Sequence, residues 1–147
     1  MQLENARILL TGASGGLGQE LAQQLTDSGA TLLLAGRDSG RLDSLAASLG
    51  PGAASICADL GQPAGIAALA GAAREFAINV LINNAGVGAF GLFENQDWAT
   101  IERVLATNLD APIHLTQALL PWLKAQPQAA IVNIGSTFGS LPFPGFA

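Results

Sequence analysis

A short apolar run that leads directly into a glycine-rich turn is the feature that most constrains how this chain folds. The run Arg7 to Leu10 predicts a buried strand, and the turn Thr11 to Gly18 follows it at once. Residues 16–28 then carry leucines at four-residue spacing, which is typical of one face of a helix. This order of strand, glycine turn and helix places the turn at the carboxyl end of a strand, where open α/β sheets bind their ligands.

The same alternation continues along the chain. Further short apolar runs predict strands at 31–35, 54–58, 80–82 and 130–134. Helical patterns cover 16–28, 39–49, 62–76, 97–105 and 111–125, the last two as a pair or as one bent helix. Ser39 is expected to cap the second helix and Asp97 the fourth, and Trp98 and Trp122 are expected to pack on helices. With right-handed crossovers, the units predict an α/β fold with a doubly wound parallel sheet of about five strands in the order 3-2-1-4-5.

Composition disfavours several classes of partner. Only 12% of the 147 residues are charged and the net charge is −5, so there is no basic footprint for nucleic acid or for an anionic membrane. Apolar runs stay far below the ~20 residues that a membrane span needs. Cys57 is the only cysteine, so there is no disulfide framework and no cysteine metal cluster. We expect one domain over residues 1–147, in the reducing cytoplasm, without a metal.

Gly12, Gly16 and Gly18 lie at the transition from strand to helix. Glycine permits the tight turn and lets backbone N–H groups approach a pyrophosphate, whose charge the helix N-terminus favours. A loop that only needs flexible dihedral angles would have a similar sequence. The strand before the turn and the helix after it favour dinucleotide binding.

The end of the second strand indicates which dinucleotide binds. Arg37 would pair with the 2′-phosphate of NADP. Asp38 keeps NAD open, because an acidic residue about 20 positions beyond the glycines can accept hydrogen bonds from the ribose. Its position just past the strand favours a helix-capping or solvent role for Asp38, so we expect NADP in preference to NAD.

In combination these motifs resemble the classical short-chain dehydrogenase/reductase family, from about residue 6 to the last residue. The motifs that carry the resemblance keep the family's order and spacing: Thr11-Gly12-x-x-x-Gly16-x-Gly18, Asp59-Leu60, Asn83-Asn84-Ala85-Gly86, Asn108 and Ser136. The resemblance implies a Rossmann-like domain in an NADP(H)-preferring oxidoreductase. Such an enzyme transfers hydride between the nicotinamide and a small alcohol or carbonyl substrate, commonly as a homo-oligomer.

The resemblance also implies roles for single residues. Ser136 would polarise the substrate carbonyl, and Asn108 would hold a helix kink and a water of the proton relay. Asp59 with Leu60 would contact the adenine, although a loop-capping Asp is the simpler alternative at that position. The cofactor-binding set that the resemblance implies is Gly12, Ser14, Gly16, Leu17, Gly18, Arg37, Asp59, Leu60, Asn84, Ala85 and Gly86.

The sequence departs from the family pattern at its end. The family's proton-donating tyrosine lies about 13 residues beyond the serine, which from Ser136 falls two residues past Ala147, and a lysine follows it four residues later. Residues 141–147 resemble the approach to that motif, the chain has no tyrosine, and Lys124 lies on the wrong helix to replace the lysine. We therefore expect a C-terminally incomplete domain that stops before the later family strands, is catalytically silent, binds cofactor weakly and self-associates through an open sheet edge. The alternatives are a non-catalytic nucleotide- or partner-binding module and an inert fragment.

Overall fold

The computed structural model describes residues 2–141, 144 and 145. Pro142, Phe143, Phe146 and Ala147, which belong to the segment interpreted as the approach to the tyrosine motif, lie outside the described residues. The strands are β1 Arg7–Thr11, β2 Thr31–Gly36, β3 Ala53–Cys57, β4 Val80–Asn83 and β5 Ala130–Asn133. The α-helices are α1 Gly16–Asp27, α2 Ser39–Leu49, α3 Pro63–Glu75, α4 Trp98–Leu105 and α5 Ala111–Lys124. Short 3₁₀ turns cover Phe93–Asn95 and Thr137–Gly139, and a π-helical turn covers Ala106–Asp110.

The strands form one parallel sheet in the order β3-β2-β1-β4-β5, which confirms the predicted fold class and strand order. Leu10 of β1 pairs with Leu34 of β2 on one side and with Ile82 of β4 on the other. The chain therefore crosses from one half of the sheet to the other between β3 and β4. The carboxyl ends of β1 and β4 lie side by side at this switch point, where doubly wound sheets bind ligands.

The core lies on both faces of the sheet. Leu9, Leu33 and Leu81 point to the face covered by α3 and α5, and their chain neighbours point to the face covered by α1 and α2. This alternation is the two-residue period of a strand, and burial on both faces is typical of parallel sheets. The near-continuous apolar runs in the sequence have this cause.

Three local expectations were wrong. Of the leucine stripe predicted for α1, Leu25 is buried but Leu17 is 57% exposed, because the buried face of the helix is formed by Gly18, Ala22 and Leu25. Asp38, and not Ser39, caps α2, since the Asp38 side chain accepts the N–H of Arg41 at 3.0 Å. Trp98 is 65% exposed on α4, whereas Trp122 is half-buried and its indole N–H donates to the Ile78 carbonyl at 2.8 Å.

The sequence left open a pair of helices or one bent helix, and the structure shows one continuous helix in which the π-helical turn joins α4 to α5. Pro112, two residues beyond the turn, has no N–H and so cannot donate to the carbonyl of Asn108, which α-helical geometry would require. Insertion of a π-type turn at such a place is common at functional sites. Among the described residues no helix combines the length and the apolar character that crossing a membrane requires.

Candidate active site

A cleft of about 760 Å³ opens at the carboxyl ends of the strands. Its walls come from the turn after β1, the ends of β2 and β3, the segments after β4 and β5, and the π-helical turn. The structure brings every site residue predicted from the sequence to this cleft: Gly12, Ser14, Gly16, Leu17, Gly18, Arg37, Asp59, Leu60, Asn84, Ala85, Gly86, Asn108 and Ser136. Thr107, Ile134 and Phe138 also line it, and sequence reasoning gave these three no role.

The three glycines of the first turn serve three different purposes. Gly12 has φ +66°, and a Cβ on it would lie 2.7 Å from Ala85 Cα in the neighbouring segment. A Cβ on Gly18 would lie 2.2 Å from the Gly12 carbonyl oxygen, so this glycine lets α1 pack directly on the turn. A Cβ on Gly16 would meet no protein atom within 4 Å. Gly12 and Gly18 therefore allow neighbouring backbone segments to pack closely, whereas Gly16 leaves open space at the cleft.

The amino end of α1 has the features of an anion-binding site. Its N-cap, Gly15, has no side chain that could accept hydrogen bonds from the first-turn N–H groups. Those N–H groups belong to residues that line the cleft, including Gly16 and Leu17. Unsatisfied N–H groups and the positive end of the helix dipole together favour a phosphate at such a place.

The end of β2 presents a positive side chain to the same cleft. Arg37 is exposed and lines the cleft, and its backbone carbonyl accepts a hydrogen bond from the Cys57 thiol at 3.4 Å. Asp38 is committed elsewhere: it caps α2 through the Arg41 N–H at 3.0 Å and pairs with Arg41 Nε at 3.4 Å. The helix-capping role expected for Asp38 is confirmed. Its carboxylate is thereby drawn toward the helix.

Thr11 ties the ends of β1 and β4 together. Its buried hydroxyl accepts the backbone N–H groups of Asn84 and Ala85, both at 3.0 Å, and donates to the Ile82 carbonyl at 3.3 Å. The Asn84 side-chain amide donates in return to the carbonyls of Thr11 and Gly12 at 3.0 and 3.3 Å. Sequence reasoning placed Thr11 in the motif without a role. Its position at the end of a buried strand was the available signal.

Asn108 fixes the segment that follows β4. Its side-chain oxygen accepts the Val87 N–H, and its side-chain NH₂ donates to the Val87 carbonyl, both at 2.8 Å. The amide thus imitates a backbone partner and holds one residue by both of its polar groups. Asn108 lies in the π-helical turn. The position of this turn, through the Asn108 side chain, therefore determines where the loop from Gly86 to Gly88 lies in the cleft.

The turn after β3 repeats the spacing of the glycine turn. Asp59 accepts the Gly61 N–H at 3.0 Å, which is the loop-capping bond considered as the alternative for this residue. A Cβ on Gly65 would lie 2.1 Å from the Asp59 carbonyl oxygen. Gly65 follows Asp59 by six positions, as Gly18 follows Gly12, and in both turns the later glycine lets a helix approach the backbone. That equal spacing is the signal by which Gly65 could have been found.

Ser136 stands at the other side of the cleft, just beyond β5. Its Oγ accepts the Phe138 N–H at 3.2 Å and so caps the 3₁₀ turn. A hydroxyl also has one hydrogen to donate, and no described bond uses it. Lys124 and His114 are exposed on α5, and neither lines the cleft.

Charge is unevenly distributed around this end of the sheet. Of the described residues that line the cleft, Arg37 and Asp59 are charged.

Asp97 does not line the cleft and caps α4. Hydrogen bonds from the Thr100 side chain and from its backbone N–H, the latter at 2.7 Å, lower the pKa of Asp97 below its ordinary value.

A doubly wound sheet with a glycine turn and an uncapped helix at its switch point is the architecture of dinucleotide-binding proteins. The sequence profile of the family described as short chain dehydrogenase matches residues 6–147. This chain therefore belongs to the short-chain dehydrogenase family, and the resemblance inferred from the motifs is confirmed.

Relatives and solved structures agree with that assignment. The Bos taurus protein named dehydrogenase/reductase SDR family member 7B is 36% identical over 156 residues, which cover 97% of this chain and 47% of the relative. A Sphingobium yanoikuyae short-chain dehydrogenase solved with NADPH is 41% identical at a TM-score of 0.88, over 95% of this chain and 57% of that one. A Burkholderia phymatum family member solved with NAD is 31% identical at a TM-score of 0.92, over 99% and 54%. The chain spans about half the length of these proteins.

Proposed function

We propose that this chain is the cofactor-binding part of an NADP(H)-preferring oxidoreductase that transfers hydride between the nicotinamide and an alcohol or carbonyl substrate. The uncapped amino end of α1, next to the open space at Gly16, is the observation that carries the proposal. One sheet with a core on each face supports a single dinucleotide-binding domain over residues 1–147.

The residues of the cleft offer a binding partner for each part of a dinucleotide. The first turn of α1 would hold the pyrophosphate, and Asp59 with the buried Leu60 would flank the adenine. Arg37 would make charge-assisted hydrogen bonds to a 2′-phosphate, while Asp38 is occupied by Arg41. The preference for NADP rests on this division of roles between two neighbouring residues.

At the substrate end, a bound nicotinamide supplies the hydride for the carbonyl carbon, and the carbonyl oxygen takes a proton. The Ser136 hydroxyl would donate a hydrogen bond to that oxygen and polarise the carbonyl. Asn108 would position the segment around Val87 against the nicotinamide. The 147 residues contain no tyrosine for the proton, and a positioned acid contributes about 10²–10⁴-fold. By themselves they are therefore expected to be catalytically silent. Without the lysine that the family places four residues after the tyrosine, they are also expected to bind cofactor weakly.

The absence of tyrosine from the 147 residues favours one further candidate, a nucleotide-binding module without catalysis. Binding of NADPH without oxidation in the presence of ketones would support such a module. Absence of both binding and turnover would instead indicate an inert fragment.

The experiment that tests the cofactor proposal is an equilibrium titration with NADPH and with NADH, extended to millimolar nucleotide. Arg37→Ala is expected to weaken NADPH binding by about 10- to 100-fold, because a hydrogen bond to a charged group contributes about 1.5–3 kcal/mol. Binding of NADH should change little. Arg103→Ala is the matched control, since Arg103 is exposed on α4 and does not line the cleft. Equal binding of NADH and NADPH, or equal loss in both variants, would contradict the NADP preference.

We also propose that the chain associates with a second copy of itself. In the described sheet β5 pairs only with β4, so its other edge is open, and Val132 and Ile134 beside it are exposed. Leu109, Ile113 and Leu120 form an exposed apolar stripe along the helix from the π-turn to α5. Sedimentation at high concentration should show dimers or larger species, and a persistent monomer would contradict this.

The free, exposed Cys57 suits a reducing compartment, and we propose a cytoplasmic location.

A further inference from the structure

The two ends of the cleft differ in chemical character. Arg37 and Asp59 follow β2 and β3, whereas Ser136 follows β5. Strands in a sheet lie about 4.8 Å apart, so these charged residues are separated from the Ser136 end by about 14 and 19 Å across the sheet. The charged side chains of the described cleft thus lie at the end assigned to the adenosine.

The Ser136 end is walled by apolar side chains. Val87, Ile134 and Phe138 line the cleft here, and Phe138 is 46% exposed. Further along the segment after β4, Phe90 does not line the cleft and is 75% exposed. The Phe90 ring lies over Gly145, and the Gly91 N–H donates to the Gly145 carbonyl at 2.7 Å. Gly145 therefore lies against the segment that follows β4.

The polar groups at the same end are neutral. Both polar atoms of the Asn108 side chain are bound to Val87, and the Ser136 Oγ already accepts the Phe138 N–H. The hydroxyl hydrogens of Ser136 and Thr107 are donors suited to a carbonyl oxygen. A carboxylate placed here would lose hydration and gain neither a cation nor a described set of N–H donors, which costs free energy.

We propose that the substrate is a neutral ketone or aldehyde, or the corresponding secondary or primary alcohol, whose substituent on the reacting carbon is apolar and packs against Phe138 and Val87. This inference rests on the proposed function, since it takes Ser136 as the residue that meets the carbonyl oxygen. Apolar side chains that are exposed in the cleft gain free energy when an apolar substituent covers them. Keto acids and other substrates with an anionic group next to the carbonyl are disfavoured.

A matched pair of ketones tests the inference on the 147-residue chain. Acetophenone is a neutral aryl ketone, and benzoylformate is the same ketone with a carboxylate in place of the methyl group. Each is titrated into ¹⁵N-labelled protein, with and without NADPH, while the amide signals of Val87, Ser136 and Phe138 are followed. Acetophenone is expected to shift these signals and to bind at least about tenfold more tightly than benzoylformate.

Variants connect the binding to the apolar wall. Phe138→Ala should weaken acetophenone binding about three- to tenfold. Phe138→Leu should restore only part of it, because leucine returns apolar area but not the aromatic contact, which contributes about 0.5–1.5 kcal/mol beyond area burial. Phe93→Ala is the control, since Phe93 is exposed but does not line the cleft. Equal or tighter binding of benzoylformate, absence of ketone shifts at Ser136 and Phe138, or an equal loss in the Phe93 variant would overturn the inference.

The cofactor proposal has its own signals in the same spectra. NADPH should shift the amides of Gly16 and Arg37, which lie at the other end of the cleft. Shifts there without preference for the neutral ketone would overturn the substrate inference alone. Absence of NADPH shifts would count against the cofactor proposal, and ketone shifts would still decide the character of the Ser136 end.

Discussion

Substitution of Gly18 by alanine tests the close approach of α1 to the glycine turn. An ideal Cβ at this position would lie 2.2 Å from the Gly12 carbonyl oxygen and 2.8 Å from Ala13 Cα. Favourable contacts between carbon atoms begin at about 3.5 Å. The obstructing atoms belong to the backbone, so no side chain can rotate away. Helix α1 must therefore move from the turn by roughly 1 Å to accommodate the methyl group.

Two effects oppose each other in this variant. Alanine in place of glycine in a helix interior gains up to about 1 kcal/mol from propensity. Overpacking of a filled site costs about 1–3 kcal/mol, and a rigid backbone obstacle places Gly18→Ala in the upper part of that range. The expected net loss in the free energy of unfolding is about 1–2 kcal/mol. With a urea m-value of about 2 kcal/mol/M, the midpoint should fall by about 0.5–1 M.

Urea denaturation followed by circular dichroism measures this loss, and Gly16→Ala is the matched control. The same methyl group on the same helix meets nothing within 4 Å at Gly16, so stability should stay within about 0.5 kcal/mol of the parent chain. NADPH binding should nevertheless weaken, because the methyl group occupies space next to the first-turn N–H groups. A Gly18 variant as stable as the parent, or equal destabilisation by both substitutions, would refute the steric explanation.

Two other side chains give further tests. Asn108→Ala removes two hydrogen bonds of 2.8 Å to Val87 and should cost about 1–2 kcal/mol, since each such bond contributes roughly 0.5–1.5 kcal/mol net. Faster hydrogen exchange of the Val87 amide should accompany this loss, and unchanged exchange would show that another group holds the loop. Asp97 has a lowered pKa in the folded chain, so its stabilising effect is present above the unfolded pKa of about 3.9 and is lost as the pH falls through the folded value. The stability difference between the parent chain and Asp97→Ala should therefore shrink between pH 7 and pH 3, and a constant difference would contradict the assigned pKa direction.

Much of the fold could be predicted because its determinants are local. Strand and helix periods, glycine turns and short connections lie within a few residues of one another, and right-handed crossover then leaves one sheet order. The predicted strand at 54–58 was displaced by one residue from β3, Ala53–Cys57, as is common at element ends. The cap of α2 was assigned one residue too late, since Asp38 and Ser39 are both good caps and only the geometry shows which side chain accepts the Arg41 N–H.

The site was predictable as a set of residues but not as a set of contacts. Each motif lies at the carboxyl end of a strand, so its arrival at one cleft follows from the topology. The bonds that Thr11 makes to Asn84 and Ala85 join residues more than 70 positions apart, and no sequence period encodes them. The exposure of Leu17 could not be predicted from its spacing either, because only the packed fold shows that the buried face of α1 is formed by Gly18, Ala22 and Leu25.

The sequence by itself determined the family, the order of strands and helices, and which residues reach the cleft. These follow from short-range patterns and from the chirality of the backbone. The tertiary structure alone decided that Gly18 is needed for packing while Gly16 leaves open space, that Asp38 and not Ser39 caps α2, and that apolar side chains wall the cleft beside Ser136. Such features depend on distances between segments that are remote in the chain, and only the packed sheet and helices fix those distances.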